Sequence, residues 1–263
     1  MNKYIVLGLA FVTLVPVSAS AQAMFDGSWK ADLASAEMPK KPDVYLLQGG
    51  VYRCETCVPP VEVKADGADH PVKGHPYYDS VAIKLANDHT VLETDKKGGH
   101  VVTTSTTTVS PDGKTLSYVF TDSSNTSAAP VTGKVEQAKV ADGPAGSSPL
   151  SGSWRTTKVE GISDNGLTVT FKVEGGMLKM SAPTGQSYVA KIDGPEAPFK
   201  GDPGVTTVMI KKVGPRTLEE SDLRNGKVIT VAKMTVAADG KFMLVDVENK
   251  LQNNSLSYKA MKQ

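Results

Sequence analysis

The chain has 263 residues, of which 29 are Lys or Arg and 28 are Asp or Glu, so its formal net charge is +1. A nearly neutral chain without blocks of one charge argues against nucleic-acid binding and against docking on a membrane through a basic patch. A hydrophobic fraction of 40% with 22% charged residues is ordinary for a folded protein, and the length fits about two domains.

Residues 1–23 have the features of a secretory signal peptide. Lys3 supplies the positive start, residues 5–15 are apolar, and Ala21-Gln22-Ala23 is a small-residue cleavage site. The apolar stretch is shorter than the roughly 18 residues of a membrane-spanning helix, and no later segment reaches that length. We therefore expect cleavage after Ala23 and a mature protein without a transmembrane segment, either periplasmic or secreted.

The mature sequence contains one unit twice. Gly27-Ser28-Trp29 returns as Gly152-Ser153-Trp154, and residues 64–114 share 21 identities over 51 ungapped positions with residues 191–241. Such sustained self-similarity indicates an internal duplication. Residues 141–150 are rich in Gly, Pro, Ser and Ala, which is typical of a linker. We predict a first repeat at 24–140, a linker at 141–150 and a second repeat at 151–263.

Each repeat is predicted to be β throughout. Val101, Thr103, Ser105, Thr107 and Val109 fall on one face of a long β-branched stretch, as in a pleated strand. Asp-Gly, Asn-Gly and Gly-Gly pairs between such stretches favour tight hairpins. We count eight or nine short strands per repeat, enough for a meander to close and remove its edges. Two tandem antiparallel up-and-down barrels are the first architecture, and two β-sandwiches are the alternative.

Three motifs extend this interpretation. Gly-Ser-Trp heads the first strand of each copy, Asp-Gly-x-x-x-Pro-x-Lys-Gly follows at 66–74 and 193–201, and Asp-Gly-Lys precedes a late strand at 112–114 and 239–241. Together they resemble secreted bacterial lipocalin-like β-barrel repeat proteins of unassigned function, over nearly the whole mature chain. The resemblance implies lipocalin-like barrels and supplies no catalytic residues. Each copy is shorter than a full lipocalin and lacks its Thr-Asp-Tyr loop motif.

Cys54 and Cys57 are the two cysteines of the chain. In an exported protein, two neighbouring thiols favour a disulfide, with redox and metal-binding roles as the alternatives. A thioredoxin-type pair opens a helix, which the following Val58-Pro59-Pro60 opposes. The histidines have no common helical spacing and are expected to be exposed in loops. They are His70, His75, His89 and His100. We therefore predict no metal site and no cofactor.

The candidate ligand contacts are aromatic. Trp29 and Trp154 would either meet a ligand at the barrel floor or pack its closed end. Tyr77 and Tyr78 have no aromatic counterpart in the second copy, so they are the best asymmetric feature, suited to a barrel mouth or a partner. Large inward side chains, such as Leu116, Tyr118 and Phe120, would instead fill the barrel.

The chain lacks the common catalytic motifs, including Gly-x-Ser-x-Gly, a phosphate-binding loop and His-Glu-x-x-His. Glu93 and Asp95 share one face of a strand beside Lys96 and Lys97, and we expect them to be solvated charges. The sequence thus predicts an exported, non-enzymatic protein that binds a small apolar ligand inside a barrel. The alternatives are a structural or interaction module of the cell envelope and a barrel-scaffold isomerase, which would need a carboxylate or histidine in a cavity. The sequence specifies no oligomeric state.

Overall fold

The structure, a computed structural model, describes residues 23–124 and 128–263, and these are almost entirely β. The predicted signal peptide lies outside the described residues except for Ala23. Two short 3-10 turns, Ala23–Phe25 and Asp164–Gly166, are the helical elements of the described chain. No helix in these ranges is long and apolar enough to cross a membrane.

Each repeat supplies ten strands instead of the predicted eight or nine, because short segments such as the two-residue β5 also pair. The first repeat supplies β1 (Gly27–Glu37), β2 (Asp43–Gln48), β3 (Val51–Cys54), β4 (Val61–Lys64), β5 (His70–Pro71), β6 (Ser80–Asn87), β7 (Thr90–Lys97), β8 (His100–Val109), β9 (Thr115–Asp122) and β10 (Val131–Asp142). The second supplies β11 (Gly152–Glu160), β12 (Thr168–Glu174), β13 (Met177–Ser181), β14 (Ser187–Lys191), β15 (Ala197–Lys200), β16 (Thr207–Gly214), β17 (Thr217–Arg224), β18 (Lys227–Val236), β19 (Phe242–Asn249) and β20 (Asn254–Lys262).

The strands form two antiparallel sheets of ten strands each. The first barrel has the order β4-β3-β2-β11-β10-β9-β8-β7-β6-β5 and is nearly closed. The second barrel, β1 with β12 to β20, is a closed ring in which β20 pairs with β1. The prediction of an all-β chain with two antiparallel barrel-like sheets is confirmed. Neither sheet is divided into the two layers that the sandwich alternative requires.

The first strand of each repeat lies in the barrel of the other repeat. β1 pairs with β12 through Gly27 to Lys30 and with β20 along its other edge. In the same way, β11 lies between β2 and β10 of the first barrel. The expectation that residues 24–140 and 151–263 each form a barrel of their own is therefore wrong for these two strands.

The segment predicted as a linker explains the exchange. Residues 143–151 do not separate two bodies but turn back tightly, so that β11 runs antiparallel to β10. Ser151 is 1% exposed and Leu150 is 4% exposed, and the backbone N–H of Leu47 donates to the Ser151 hydroxyl at 2.9 Å. A short connection favours pairing between consecutive strands, because it costs little chain entropy. The chain passes between the barrels at residues 38–42 and 161–167 instead.

The first barrel remains open between β4 and β5, whereas the equivalent β14 and β15 are paired through Ser187 and Tyr188. The register places Pro60 at the position of Ser187. Proline has no backbone N–H and cannot donate to a ladder, so it ends pairing at this edge.

Trp29 and Trp154 pack the two cores and are both 0% exposed. Each indole N–H donates to the carbonyl oxygen of the residue four positions earlier, Phe25 at 2.8 Å and Leu150 at 2.7 Å. Because of the exchange, Trp29 belongs to the second-barrel core and Trp154 to the first-barrel core.

The exchange predicts which barrel each tryptophan stabilises. Trp29→Ala should lower the free energy of unfolding by about 3–5 kcal/mol, the usual cost of removing a buried Trp. Hydrogen exchange should rise mainly in residues 168–262. Trp154→Ala is the matched control and should raise hydrogen exchange mainly in residues 43–142. Mass spectrometry of peptides after hydrogen exchange measures both effects. If Trp29→Ala instead affected residues 43–142 and Trp154→Ala affected residues 168–262, each repeat would close on itself.

Candidate functional site: the cavity of the first barrel

The first barrel encloses a cavity of about 420 Å³ that is lined mainly by polar side chains. The inward face of β7 contributes Val91, Glu93 and Asp95, and Tyr118 faces them from β9. The lining residues are Asp43, Tyr45, Tyr52, Cys57, Tyr78, Val91, Glu93, Asp95, Thr107, Leu116, Tyr118, Val135, Gln137, Leu150 and Thr156. Of the three side chains that would have filled the barrel, Leu116 and Tyr118 line the cavity without filling it, and Phe120 does not line it.

Glu93 and Asp95 face the cavity, so the expectation that they are solvated surface charges is wrong. They alternate with Leu92, Thr94 and Lys96 along β7 and share the face of the buried Val91. Asp95 is 8% exposed, and its Oδ1 has no hydrogen-bond partner among the described residues. An extended chain places residues i and i+2 on one face, which brings both carboxyl groups to the same point of the wall.

Burial changes the protonation of this pair. Removal from water raises the pKa of Glu93 to about 8, and the neighbouring Asp95 carboxylate acts in the same direction. Burial raises the pKa of Asp95 to about 7, with a further contribution from the charge of Asp122. The low-polarity environment disfavours two adjacent negative charges, so near neutral pH the pair retains a proton.

Four tyrosines surround the pair. Tyr45 and Tyr52 stack at 6.4 Å between ring centroids, and Tyr78 and Tyr118 complete the aromatic part of the lining. Burial raises the pKa of Tyr45 and Tyr52 well above the usual value. These hydroxyls are therefore neutral at physiological pH and can donate hydrogen bonds to a ligand.

A second polar group lies on β2, β10 and β11. The Gln137 amide donates to Asp43 Oδ2 at 2.7 Å and to the Thr156 hydroxyl at 3.3 Å. Gln137 is 5% exposed, and burial raises the pKa of Asp43 despite this hydrogen bond. β11 provides Thr156, so the strand from the second repeat contributes directly to the wall of the cavity.

The second barrel has the same carboxylate pair in a different setting. Glu220 and Asp222 occupy the positions of Glu93 and Asp95, and burial raises the pKa of Glu220 to about 8. Its cavity is smaller, about 210 Å³, and is lined mostly by aliphatic and aromatic side chains together with Glu220. The Tyr188 hydroxyl donates to Glu220 Oε2 at 2.5 Å, so this carboxyl group already has a donor within the protein.

The two walls differ at matched positions. The register aligns Asp43 with Val169 and Tyr45 with Phe171. Five further polar residues of the first barrel likewise correspond in position to apolar residues of the second. The pairs are Tyr52 and Leu178, Thr107 and Met234, Tyr118 and Val245, Gln137 and Ala260, and Thr156 and Ala31. The polar character of the first cavity is therefore specific to that barrel.

The predicted ligand contacts are separated by the structure. Tyr78 lines the first cavity and stacks on His75 at 4.5 Å. Tyr77 points elsewhere, and its hydroxyl donates to Asp202 Oδ1 of the second barrel at 2.9 Å. Trp29 borders the small second cavity, whereas Trp154 does not line the first. Tyr77 and Tyr78 thus form no common exposed patch of the kind that the interaction alternative invoked.

The predicted disulfide is present between Cys54 and Cys57. It closes the short connection from β3 towards β4, and Cys57 forms part of the cavity wall. The backbone N–H of Val44 donates to the Thr56 hydroxyl at 3.1 Å, which holds this loop against β2.

Two expectations about histidine have different outcomes. His75 is 9% exposed instead of lying in an open loop, and burial lowers its pKa. His70 lies at a hairpin, where its Nε2 is 2.8 Å from Asp66 Oδ1. Within residues 23–124 and 128–263, no three His, Cys, Asp or Glu side chains are grouped as a metal site.

Comparisons with protein-family models, with curated proteins and with solved structures return no match for this chain. The assignment of a site therefore depends on the geometry of the cavity and on the contrast between the two barrels. The sequence did contain a signal for the carboxylate pair, because Glu93 and Asp95 share the strand parity of Val91, and Glu220 and Asp222 that of Leu218.

The buried carboxyl groups predict how stability depends on pH. Their pKa values in the folded protein lie above those of the unfolded chain, so the folded state binds more protons. Their stabilising contribution is complete below about pH 4 and is lost as the pH rises through the folded values of about 7 and 8. Urea unfolding should therefore show a lower free energy of unfolding at pH 9 than at pH 5.

The double variant Glu93→Gln, Asp95→Asn should remove part of this decrease, because each unit by which a folded pKa exceeds its unfolded value corresponds to about 1.4 kcal/mol. Asp88→Asn, in an exposed turn, controls for the loss of a negative charge. An unchanged slope between pH 5 and pH 9 in the double variant would contradict the burial of the pair.

Proposed function

We propose that the protein is an exported binding protein whose site is the cavity of the first barrel, and that the second barrel has a structural role. The observation that carries this proposal is the contrast between matched positions. At seven positions that line the first cavity, the first barrel has a polar residue or a tyrosine and the second barrel has an apolar residue, although the two barrels share one fold. A structural core alone would have no need of these polar groups, because burying them costs free energy.

The size and chemistry of the cavity narrow the ligand. A volume of about 420 Å³ lies within the usual range for small-molecule sites, whereas about 210 Å³ lies below it. The sequence favoured a wholly apolar ligand. The polar wall instead supports a ligand with an apolar or aromatic body and at least one polar group directed at Glu93 and Asp95.

We also propose that the barrels are lipocalin-like and that residues 1–23 are removed on export to the periplasm or the medium. Gly-Ser-Trp begins both β1 and β11, and each Trp is anchored by its indole hydrogen bond, which supports a shared barrel plan. The disulfide agrees with an oxidising compartment. Sequencing the N-terminus of the mature protein should give Met24 as its first residue.

Native mass spectrometry of protein purified from its own source tests the binding proposal. A reproducible bound mass is expected on the wild-type chain. Thr107→Met, which copies Met234 and narrows the cavity, should reduce occupancy. Met234→Thr in the second barrel is the matched control and should leave it unchanged. Clean apo protein, or a bound mass that persists fully in Thr107→Met, would contradict a ligand in the first cavity.

The carboxyl pair favours a second candidate, the barrel-scaffold isomerase. Ionised Asp95 would take a proton from the carbon beside a ketone and return it to a different carbon. A neutral tyrosine hydroxyl, such as that of Tyr52, would hydrogen-bond to the ketone oxygen. Groups with pKa values near neutral suit this proton transfer.

The isomerase candidate predicts that a β,γ-unsaturated ketone is converted to its conjugated isomer, followed by ultraviolet absorbance. Asp95→Asn should slow this reaction by roughly 100-fold or more, the usual contribution of a general base. Asp222→Asn, at the matched position of the second barrel, should have little effect. A wild-type rate equal to that in buffer would leave binding as the function of the cavity.

A further inference from the structure

The carboxyl pair of the first cavity lacks the internal donor that its counterpart has. In the second barrel, the Tyr188 hydroxyl donates to Glu220. The register places Val61 at the position of Tyr188, since Val61 pairs with Cys54 as Tyr188 pairs with Met180. A valine side chain donates no hydrogen bond, so Glu93 has no equivalent of this contact.

Asp95 is the second and independent observation. It is 92% buried, and its Oδ1 has no hydrogen-bond partner in the described part of the chain. The matched Asp222 Oδ1 of the second barrel also has no partner, but Asp222 does not line the second cavity, whereas Asp95 lines the first. An unsatisfied carboxylate oxygen at such a depth is costly, and native structures rarely retain one without a partner. The wall of the first cavity is therefore short of a hydrogen-bond donor at this point.

The charge of the lining indicates which donor fits. Three carboxyl groups line the cavity, those of Asp43, Glu93 and Asp95, and none of the described lining residues is Lys, Arg or His. Asp43 already accepts from Gln137, whereas Glu93 and Asp95 hydrogen-bond to each other and Asp95 Oδ1 has no partner among the described residues. The tyrosine rings add electron-rich faces, which attract cations at short range.

We propose that the first cavity binds a small organic amine in its protonated form. The ammonium group donates hydrogen bonds to the Glu93 and Asp95 carboxylates, and an aromatic or aliphatic body lies against Tyr45, Tyr52, Tyr78 and Tyr118. This inference rests on the proposed binding function and specifies its ligand class. An amine with N–H groups supplies both the charge and the donor, whereas a neutral alcohol supplies only a donor and a quaternary ammonium supplies only charge.

Binding of this kind is linked to protons. Without a cation the buried pair retains a proton near pH 7, and an ammonium group beside it favours the fully ionised form. The amine therefore displaces a proton and should bind more tightly as the pH rises from 6 to 9. The titratable groups that face the pair are Asp43, Tyr45, Tyr52, Tyr78, Tyr118 and Asp122. The lining tyrosines stay neutral in this window, because burial raises their pKa values.

Calorimetric titration of the full mature chain with 2-phenylethylamine tests the inference, with 2-phenylethanol and phenethyltrimethylammonium as analogues. The amine should bind about tenfold to a hundredfold more tightly than the alcohol, the range for a hydrogen bond to a charged group. It should also bind more tightly than the quaternary analogue. Titrations in buffers of different ionisation enthalpy should show proton release at pH 7.

Variants test whether amine binding and proton release depend on Glu93 and Asp95. Glu93→Gln and Asp95→Asn should each lower the affinity for the amine and reduce the proton release. Val61→Tyr, which copies Tyr188, should do the same by giving Glu93 an internal donor. Glu220→Gln, the matched change in the second barrel, should leave affinity unchanged, and far-ultraviolet circular dichroism controls for folding of each variant.

The outcomes separate this inference from the function on which it rests. Equal or tighter binding of 2-phenylethanol would overturn the amine inference and leave a small-molecule site in place. Amine binding that survives both Glu93→Gln and Asp95→Asn would also overturn it. Absence of binding by all three probes would overturn the inference as well. If native mass spectrometry also finds clean apo protein, the binding function fails with it.

Discussion

An antiparallel sheet exposes two rows of unpaired backbone groups unless its edges are covered, and the pairing of β1 with β12 and β20 removes both edges of the second barrel. The rest of the architecture depends on this contact. The backbone N–H of Gln263 donates to the carbonyl of Ser28 at 2.9 Å, so the two ends of the described chain meet in one sheet. The first barrel is built from the continuous segment 43–160, whereas the second needs strands from both ends of the chain. Its closure therefore carries the larger cost of bringing distant segments together.

The sequence predicted the strands, the turns, the duplication and the disulfide, because each depends on local pattern or on chemistry within a few residues. It could not predict the exchange of β1 and β11. Both strands begin with Gly-Ser-Trp, so their local signals are equivalent and fit either barrel. The hairpin at residues 143–151 decides between the arrangements through contacts such as Ser151 with Leu47, which are 104 residues apart. A composition rich in Gly, Pro and Ser is typical both of such a hairpin and of a linker, so it does not distinguish the two.

The site was predicted less completely for a different reason. Tyr77 and Tyr78 lie between β5 and β6, outside any strand, so no alternating pattern predicted which of them would line the cavity. Only Tyr78 does, and Tyr77 contacts Asp202 instead. Glu93 and Asp95 were assigned to solvent because Lys96 and Lys97 follow them, although their parity with Val91 indicated the interior. Sequence-based reasoning favours exposure for carboxylates, since buried ones are rare. A cavity that accommodates them is visible only in three dimensions.

The differences between the two barrels converge on one short segment. Residues 54–61 carry the disulfide, which lies at the position of residues 180–183 in the second copy. Pro60 stands where Ser187 pairs with β15, so the sheet remains open beside β4. Val61 stands where Tyr188 donates to Glu220, so the carboxyl pair keeps its acceptors available. An opened sheet edge, a cross-linked loop and an acid pair without a tyrosine donor therefore occur together at the side of the cavity. The seven polar lining positions that are apolar in the second barrel lie on β2, β3, β8, β9, β10 and β11 of the same barrel. The simplest physical account is that the two copies share one fold, and that the first lacks the tyrosine donor to its carboxyl pair and has a larger, more polar cavity.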